Sequence, residues 1–335
     1  GTGLNRVQMS LETAAILYLL FAIFRDRLLV KNYFYLIITL IFISFFSFLF
    51  NPFIEFLLNF KIYLFSILII IYFDKRSPQV FLIDFIVCLN IFILLFQVLF
   101  NIYLMPISGL DIGFEGLINS RPLGLFYNPH LSAYVVAIYF IFKSIEKKNK
   151  LFDMIGGVVI FMFGSKFTLF AFMASFLSKF KILFNIFLIL CGFFVLIMIV
   201  MISDEYLYLF PISARFILQQ MIDLSSYKAL LNFYPIDYTS YLNSQMVTVD
   251  NVFIKAIGNQ IGNEIQLFTL YIEGGFILAT LYLYNLYNAL PHFKIFLFVS
   301  LIHYGFATTP FILFMMINYE NIISKTKQDE VRNIS

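Results

Sequence analysis

Long apolar runs separated by short basic clusters are the feature that most constrains the fold of this chain. A run of about twenty apolar residues can cross the hydrocarbon core of a bilayer as a helix. Hydrophobic residues make up 61% of the 335 and charged residues only 12%, which excludes a soluble globule with a solvated surface. We therefore predict an all-α, polytopic membrane helix bundle, with spans at about 9–24, 33–50, 54–73, 79–104, 128–142, 182–203, 264–289 and 294–320.

One further apolar run, 151–178, is interrupted at Gly164-Ser165-Lys166. Glycine and serine followed by a charge are unfavourable in the middle of a membrane, so the run predicts two short helices, about 151–163 and 167–178. Together with the longer spans this gives about ten or eleven membrane helices in one integral domain, 9–335. The first eight residues, GTGLNRVQ, are expected to be a vector-derived remnant ahead of Met9.

Basic residues fall in alternate connections between the spans, and the positive-inside rule places those connections in the cytoplasm. They are Arg25, Arg27, Lys31, Lys75, Arg76, Lys143, Lys147, Lys148, Lys150, Lys179, Lys181 and Lys294. The remaining connections then face outward: the segment 105–127, the break at Gly164, and a long, more polar insert, 204–262. For the C-terminal end, the sequence is compatible with either side of the membrane.

The net charge and the histidines indicate whether nucleic acid or a metal ion is an expected partner. The net charge is only +3, and the cations lie mainly at helix ends, so nucleic acid is not an expected partner. Three histidines lie far apart in the sequence, without a metal-binding motif, so we expect no structural metal and no cofactor. Cys88 and Cys191 fall inside apolar runs and are expected to be small buried hydrophobes.

Three predicted helices begin on the outward side with residues that favour a helix start. Asn128 is a good N-cap ahead of Pro129, Ser165 can cap the helix that begins at Lys166, and Asn263 can cap the helix that begins at Glu264. Helix N-termini present unpaired N–H groups and a positive dipole end, which attract anions.

Two arginines and a lysine lie at or before predicted helix starts on the outward side. Arg121 precedes the first, Lys166 lies in the first turn of the second, and Arg215 begins an amphipathic helix, about 213–231, within the insert. Arginine binds phosphate oxygens in a bidentate manner, so these cations indicate a diphosphate site at the outer surface. The alternative is that each cation extends to lipid head groups at the interface.

Four motifs in order resemble the superfamily of O-antigen ligases and O-antigen polymerases, which are membrane glycosyltransferases. They are SRPLGLFYNPHLSAY, GSKFTLFAF, SARFILQQM and GNEIQLFTLYIEGG, and the resemblance extends over about 115–290. In that family an Arg-x-x-Gly…Asn-Pro segment, a Ser-Arg break and an arginine heading the large periplasmic loop surround the diphosphate of an undecaprenyl-linked glycan. By resemblance Arg121 and Arg215 take those positions. The sequence departs from the family pattern at Lys166, where arginine is commoner, and at Asn263-Glu264, where ligases typically have a histidine.

The resemblance implies a metal-independent transfer in which cations neutralise the departing diphosphate and a base accepts the proton of the attacking hydroxyl. Glu264 is the first candidate for this base and His130 the second. Glu264 could instead serve only as a carboxylate at a helix N-terminus. Tyr127, Asn128 and Asn263 are candidates for contacts with the sugars.

The implied protein is an O-antigen polymerase of the bacterial inner membrane, with its active site facing the periplasm and membrane lipids around it. It would transfer a glycan from an undecaprenyl diphosphate-linked oligosaccharide to a lipid-linked repeat unit. A chain-length regulator protein is a further candidate partner.

An O-antigen ligase, which delivers the glycan to lipid A-core, is the first alternative. A transporter of polysaccharide or lipid-linked sugar is the second, because Lys61, Asp84 and Glu273 are charges inside predicted spans. We expect Lys61 and Asp84 to form a structural pair.

Overall fold

Helices make up the regular structure of the described residues, which contain no strand. The structure is a computed structural model and describes residues 2–26, 64–73, 80–100, 122–126, 129–147, 149–179, 279–301 and 309–332. Its helices are α1 (Thr2–Arg25), α2 (Leu64–Phe73), α3 (Val80–Phe100), α4 (Pro129–Lys147), α5 (Lys150–Met162), α6 (Lys166–Leu177), α7 (279–289), α8 (Lys294–Ser300) and α9 (Pro310–Arg332). The all-α prediction is confirmed for this part of the chain.

The helix α3 follows the predicted span 79–104 closely. Within the described residues it alone is long and apolar enough to cross a membrane. One stripe of the helix is buried and recurs every three or four residues, as Ile83, Val87, Asn90, Leu94 and Gln97. Most of the remaining surface is apolar and exposed or half-buried, and Phe81 reaches 86% exposure.

Cys88 lies on this exposed surface of α3 as a free thiol. The prediction that it is a buried hydrophobe is therefore wrong. An apolar run does not reveal which of its residues face the protein interior, and position 88 falls outside the buried stripe. Cys191 lies outside the described residues.

The predicted pair of short helices around Gly164 is confirmed as α5 and α6. Gly164 has a φ of +70°, which glycine adopts without the steric cost of a side chain. The two helices pack on each other and on α4. Gly156 of α5 allows this approach, since a Cβ there would come within 2.7 Å of the Phe140 side chain and 2.9 Å of Phe172.

The helices α4, α5 and α6 run alternately up and down, as hydrogen bonds at their two ends show. At one end His130, near the start of α4, bonds to Ser165 at the break between α5 and α6. At the other end Ser144, late in α4, bonds to Asp153 in the first turn of α5 and to Lys179 just after α6. The lysines that the positive-inside rule groups together, Lys143, Lys150 and Lys179, therefore belong to the same end.

The predicted span 294–320 is not one helix. The helix α8 ends at Ser300, and a separate helix, α9, begins at Pro310. Proline lacks an N–H and has a fixed φ, so it fits the first turn of a helix far better than the interior. The boundary predicted before Lys294 is confirmed by a turn at 291–293. Glu320 of α9 holds this turn by accepting the backbone N–H of His292 at 3.2 Å and a second hydrogen bond from its ring.

The described helices fall into two compact units. The first unit holds α1, α2, α7 and α9 up to Ile317, and its core includes ring contacts of Tyr18 with Tyr72 and of Phe73 with Phe314. The second unit holds α3 to α6, α8 and α9 from Asn318. In its core the Tyr319 and Phe142 rings stack with centroids 4.0 Å apart, and the Tyr134 hydroxyl bonds to Ser300 at 2.8 Å.

Several predicted segments lie outside the described residues. These are the spans 33–50 and 182–203, the insert 204–262 with its predicted amphipathic helix, half of 54–73 and most of 264–289. The first helix is described from Thr2, ahead of the predicted start at residue 9.

Candidate functional site

Within the motif SRPLGLFYNPHLSAY, residues Pro122–Phe126 form a tight turn, which we call the Gly124 turn. Gly124 has a φ of +66°, in the left-handed region where a side chain is strained. A Cβ at this position would lie 2.5 Å from Asn90 Oδ1, 2.5 Å from Ser132 Oγ and 2.9 Å from Phe163. The turn therefore requires glycine both for its backbone conformation and for its close packing.

Two amides of α3 hold the backbone of the Gly124 turn. The Gly124 N–H donates to Gln97 Oε1 at 2.9 Å, and the Leu125 N–H donates to Asn90 Oδ1 at 2.9 Å. Asn90 also donates from Nδ2 to the Ser132 carbonyl at 3.1 Å. Its amide thus joins the turn, α3 and α4.

The start of α4 completes the attachment of the turn. Pro129 is the first residue of the helix, as predicted, and its fixed φ suits that position. In the first turns, the buried Ser132 donates from Oγ to the Leu123 carbonyl at 2.7 Å. Neutral hydrogen bonds therefore fasten the Gly124 turn to both α3 and α4.

The break between α5 and α6 lies against the same region. Ser165 occupies the predicted cap position, but its side chain makes no capping hydrogen bond. Its hydroxyl instead lies 2.9 Å from His130 Nδ1 and 2.7 Å from Thr168 Oγ1. Ser165 therefore links the start of α4 to the first turn of α6.

We call this region the turn end; it consists of the Gly124 turn, His130, Ser165 and Thr168. Lys166 is the first residue of α6, as predicted, so its backbone belongs to the turn end, although its side chain is outside the described part. His130 is half-buried there. The other predicted site residues all lie outside the described residues: Arg121, Tyr127, Asn128, Arg215, Asn263 and Glu264.

Sequence reasoning missed Asn90 and Gln97, although a signal for them exists. They are polar residues in an otherwise apolar helix and are seven residues apart, which places them on one face. Both side chains are essentially buried, with exposures of 0% and 1%. A buried amide requires hydrogen-bond partners, so two amides on one face predict a polar segment packed against that face.

The opposite end of α4, α5 and α6, which we call the lysine end, consists of Lys143, Ser144, Asp153 and Lys179. Lys179 donates to the two carboxylate oxygens of Asp153 at 2.9 and 3.1 Å, and Ser144 donates to the same carboxylate at 2.7 Å. Lys143 forms ion pairs with Glu146 at 3.2 Å and with Asp84 at 3.4 Å.

Asp84 also accepts a hydrogen bond from the Tyr319 hydroxyl at 2.9 Å. Its expected partner, Lys61, lies outside the described residues, so that pair stays a prediction. Among the described residues, no three His, Cys, Asp or Glu side chains cluster in a way that could hold a metal ion.

No protein-family model, curated protein or solved structure matches this chain.

Proposed function

We propose that this chain is an O-antigen polymerase of the bacterial inner membrane. In this proposal it transfers a glycan from an undecaprenyl diphosphate-linked donor to a lipid-linked repeat unit at the periplasmic face. The observation that supports it is the meeting of three chain segments at the turn end: the turn that follows Arg121, the start of α4, and the start of α6 at Lys166. Two of the four motifs, SRPLGLFYNPHLSAY and GSKFTLFAF, thus meet in one region.

The chemistry requires cations around the departing diphosphate. Arg121, Lys166 and Arg215 are proposed to bind it, together with N–H groups at the start of α6. The diphosphate is a good leaving group when cations neutralise its charge, so a metal is not needed. The lipid-linked donor supplies the sugar, so a nucleotide sugar is not needed either. Tyr127, Asn128 and Asn263 are proposed to contact the sugars.

The base that accepts the acceptor's proton is proposed to be Glu264, with His130 as the alternative. The structure adds support for His130, because Ser165 contacts Nδ1 of its ring and Thr168 in turn contacts Ser165. A ring oriented by a neighbouring hydroxyl has the arrangement that general bases commonly show.

The proposal includes several membrane spans beyond α3, with the lysine end in the cytoplasm and the turn end at the periplasmic surface. Basic residues gather at the lysine end, which supports this orientation. The broad apolar surface of α3 supports its position in the membrane. Lipid would solvate such a surface, whereas water would not.

The first experiment is genetic. Deleting the gene in its host and analysing the surface polysaccharide on a gel should give core capped by a single repeat unit. Wholly uncapped core would identify a ligase instead. Unchanged polymer would contradict both functions.

Complementation with variants then tests the site. Arg121→Ala and Arg215→Ala should each lower transfer by about ten- to a hundred-fold, since each removes charge-assisted hydrogen bonds to the diphosphate. Arg→Lys should rescue only partly because the bidentate geometry is lost. Lys147→Ala is the matched control, since this exposed lysine is the last residue of α4 and belongs to the opposite end. Normal polymer from both arginine variants would rule out the proposed diphosphate site.

The base is tested by Glu264→Gln, which keeps the shape of the side chain but cannot accept the proton. Donor binding should persist while turnover falls by about a hundredfold or more. If turnover is normal, His130→Gln should show that loss instead. Purified protein should also elongate a lipid-linked oligosaccharide without nucleotide sugar or metal, which a transporter would not do.

A further inference from the structure

We propose that Asn90 and Gln97 of α3 are positioning residues for the donor site, because they fix the Gly124 turn against the starts of α4 and α6. This inference rests on the proposed function and extends it to a helix that none of the four motifs includes. It assigns a role in donor binding to two amides inside a membrane-length helix.

The side-chain amides of Asn90 and Gln97 bind the backbone of the turn directly. Each amide oxygen accepts a backbone N–H from the turn at 2.9 Å, Gln97 from Gly124 and Asn90 from Leu125. These N–H groups belong to a turn and not to a helix, so the amides act in place of a regular backbone partner. Asn90 also binds the Ser132 carbonyl, which ties the position of the turn to α4.

Close packing between α3 and the turn also fixes the position of the turn. The other members of the buried stripe of α3 are Ile83, Val87 and Leu94, so apolar residues would fill this face without a desolvation cost. The two amides instead lie where the turn backbone comes closest, with no room for a Cβ between Gly124 and Asn90 Oδ1. The turn therefore cannot shift along α3 without breaking both hydrogen bonds.

Gln97 and Asn90 with their hydrogen bonds to the turn, which we call the clamp, lie next to segments that carry the proposed chemistry. Arg121 directly precedes Pro122, which is buried as the first described residue of the turn. Phe163, which contacts the turn at Gly124, lies two residues before Ser165. The clamp thus fixes the backbone beside two of the three proposed diphosphate ligands, and its loss should weaken donor binding more than it slows the chemical step.

The test compares amide variants with a matched control in the full-length protein. Gln97→Met keeps the size of the side chain but removes the acceptor, and Gln97→Glu keeps an acceptor oxygen. Tyr134→Phe is the control, because it removes the buried hydrogen bond between the Tyr134 hydroxyl and Ser300, two residues that are not part of the turn end as defined above. Unfolding temperature, binding of undecaprenyl diphosphate, and the KM and kcat for a lipid-linked donor are measured for each variant.

Gln97→Met should raise the dissociation constant for undecaprenyl diphosphate and the KM about tenfold, with kcat changed less than threefold. Gln97→Glu should recover part of the affinity, because it restores the acceptor oxygen but brings a carboxyl group to a buried position. Tyr134→Phe should lower the unfolding temperature by a similar amount but leave the affinity unchanged. If Gln97→Met does not accumulate, Gln97→Asn, which keeps an amide but shortens its reach, takes its place in the same comparison.

Two failures can be told apart. If the wild-type protein neither binds undecaprenyl diphosphate nor transfers a glycan, the proposed function fails, and the inference fails with it. If the wild-type protein is active and Arg121→Ala loses affinity while the Gln97 variants bind normally, the proposed function stands and the positioning role is overturned. Equal loss of affinity in Tyr134→Phe would also overturn it, because the effect would then be one of general stability.

Discussion

The two ends of the α4, α5 and α6 bundle use different chemistry to hold its helices together. At the lysine end a carboxylate, Asp153, accepts hydrogen bonds from Lys179 and Ser144. At the turn end neutral amides and hydroxyls bind backbone groups and a histidine. One end is thus an ion-paired cluster, whereas the other is a neutral network that shapes a turn.

This difference suggests different roles for the two ends. Opposite charges at the lysine end neutralise each other, so that cluster offers little net charge for an anionic ligand. The neutral network at the turn end leaves the adjacent proposed cations, Arg121 and Lys166, to supply the charge. We infer that the lysine end fastens the bundle and the turn end positions the chemistry.

The largest effect should come from Gly124→Ala at the turn end. The new Cβ would overlap Asn90 and Ser132 in a left-handed backbone conformation, which we expect to cost about 2–5 kcal/mol of stability. Polymer should be abolished in a complemented deletion strain. The measurements are polymer length on a gel and the unfolding temperature of the purified protein.

Gly157→Ala is the matched control for that change. It lies in α5, and a Cβ there would meet nothing within 4 Å. Since alanine favours a helix over glycine, stability should be unchanged or slightly higher, with normal polymer. Equal behaviour of the two variants would show that the Gly124 turn is not a constrained element.

A second, smaller effect should come from Ser165→Ala compared with Thr168→Val. Ser165→Ala removes the hydroxyl that contacts His130, whereas Thr168→Val removes only the further contact to Ser165. If His130 is the base, Ser165→Ala should lower turnover about tenfold and Thr168→Val about two- to threefold. Both should cost only about 0.5–1.5 kcal/mol of stability. Full turnover in Ser165→Ala would remove the support for His130 and favour Glu264.

The sequence predicted the parts of the fold that depend on local signals. Glycine, serine and a charge in series predicted the break between α5 and α6, and Pro129 marked the start of α4. Pro310 carries the same kind of signal, but it lies inside the predicted span 294–320, where apolar residues flank it on both sides.

The features that were missed depend on long-range contacts. Ser165 follows a serine-cap pattern, yet its hydroxyl bonds to His130, which is 35 residues away in the chain. The partners of Asn90 and Gln97 lie 27 to 42 residues away, so the pattern of α3 alone identified neither amide as part of a site. Hydropathy likewise placed Cys88 in an apolar run without indicating the exposed face.

A third prediction tests the lysine end. Asp153→Ala removes the acceptor shared by Ser144 and Lys179, and we expect a loss of about 1–3 kcal/mol because Lys179 is partly exposed and can be solvated. Polymer per molecule of folded protein should stay normal. The measurement is polymer yield normalised to folded protein in the membrane. A loss of turnover or donor affinity at normal folding would contradict the division of roles between the two ends.

The smallest effect is expected from Tyr319→Phe, which bears on the transporter alternative. The hydroxyl donates to Asp84, but Asp84 also has an ion pair with Lys143, so the carboxylate keeps a partner when the hydroxyl is lost. We expect a cost of about 1 kcal/mol and normal polymer.

Lys143→Met should cost more stability, because it removes the cation that pairs with both Asp84 and Glu146, and it should still leave polymer intact. If either variant accumulates normally but makes no polymer, the cluster of Asp84, Lys143 and Glu146 has a functional role. Such a role is what a proton or ion path through a transporter requires. Polymer length and protein accumulation, measured in the same membranes, decide between the two.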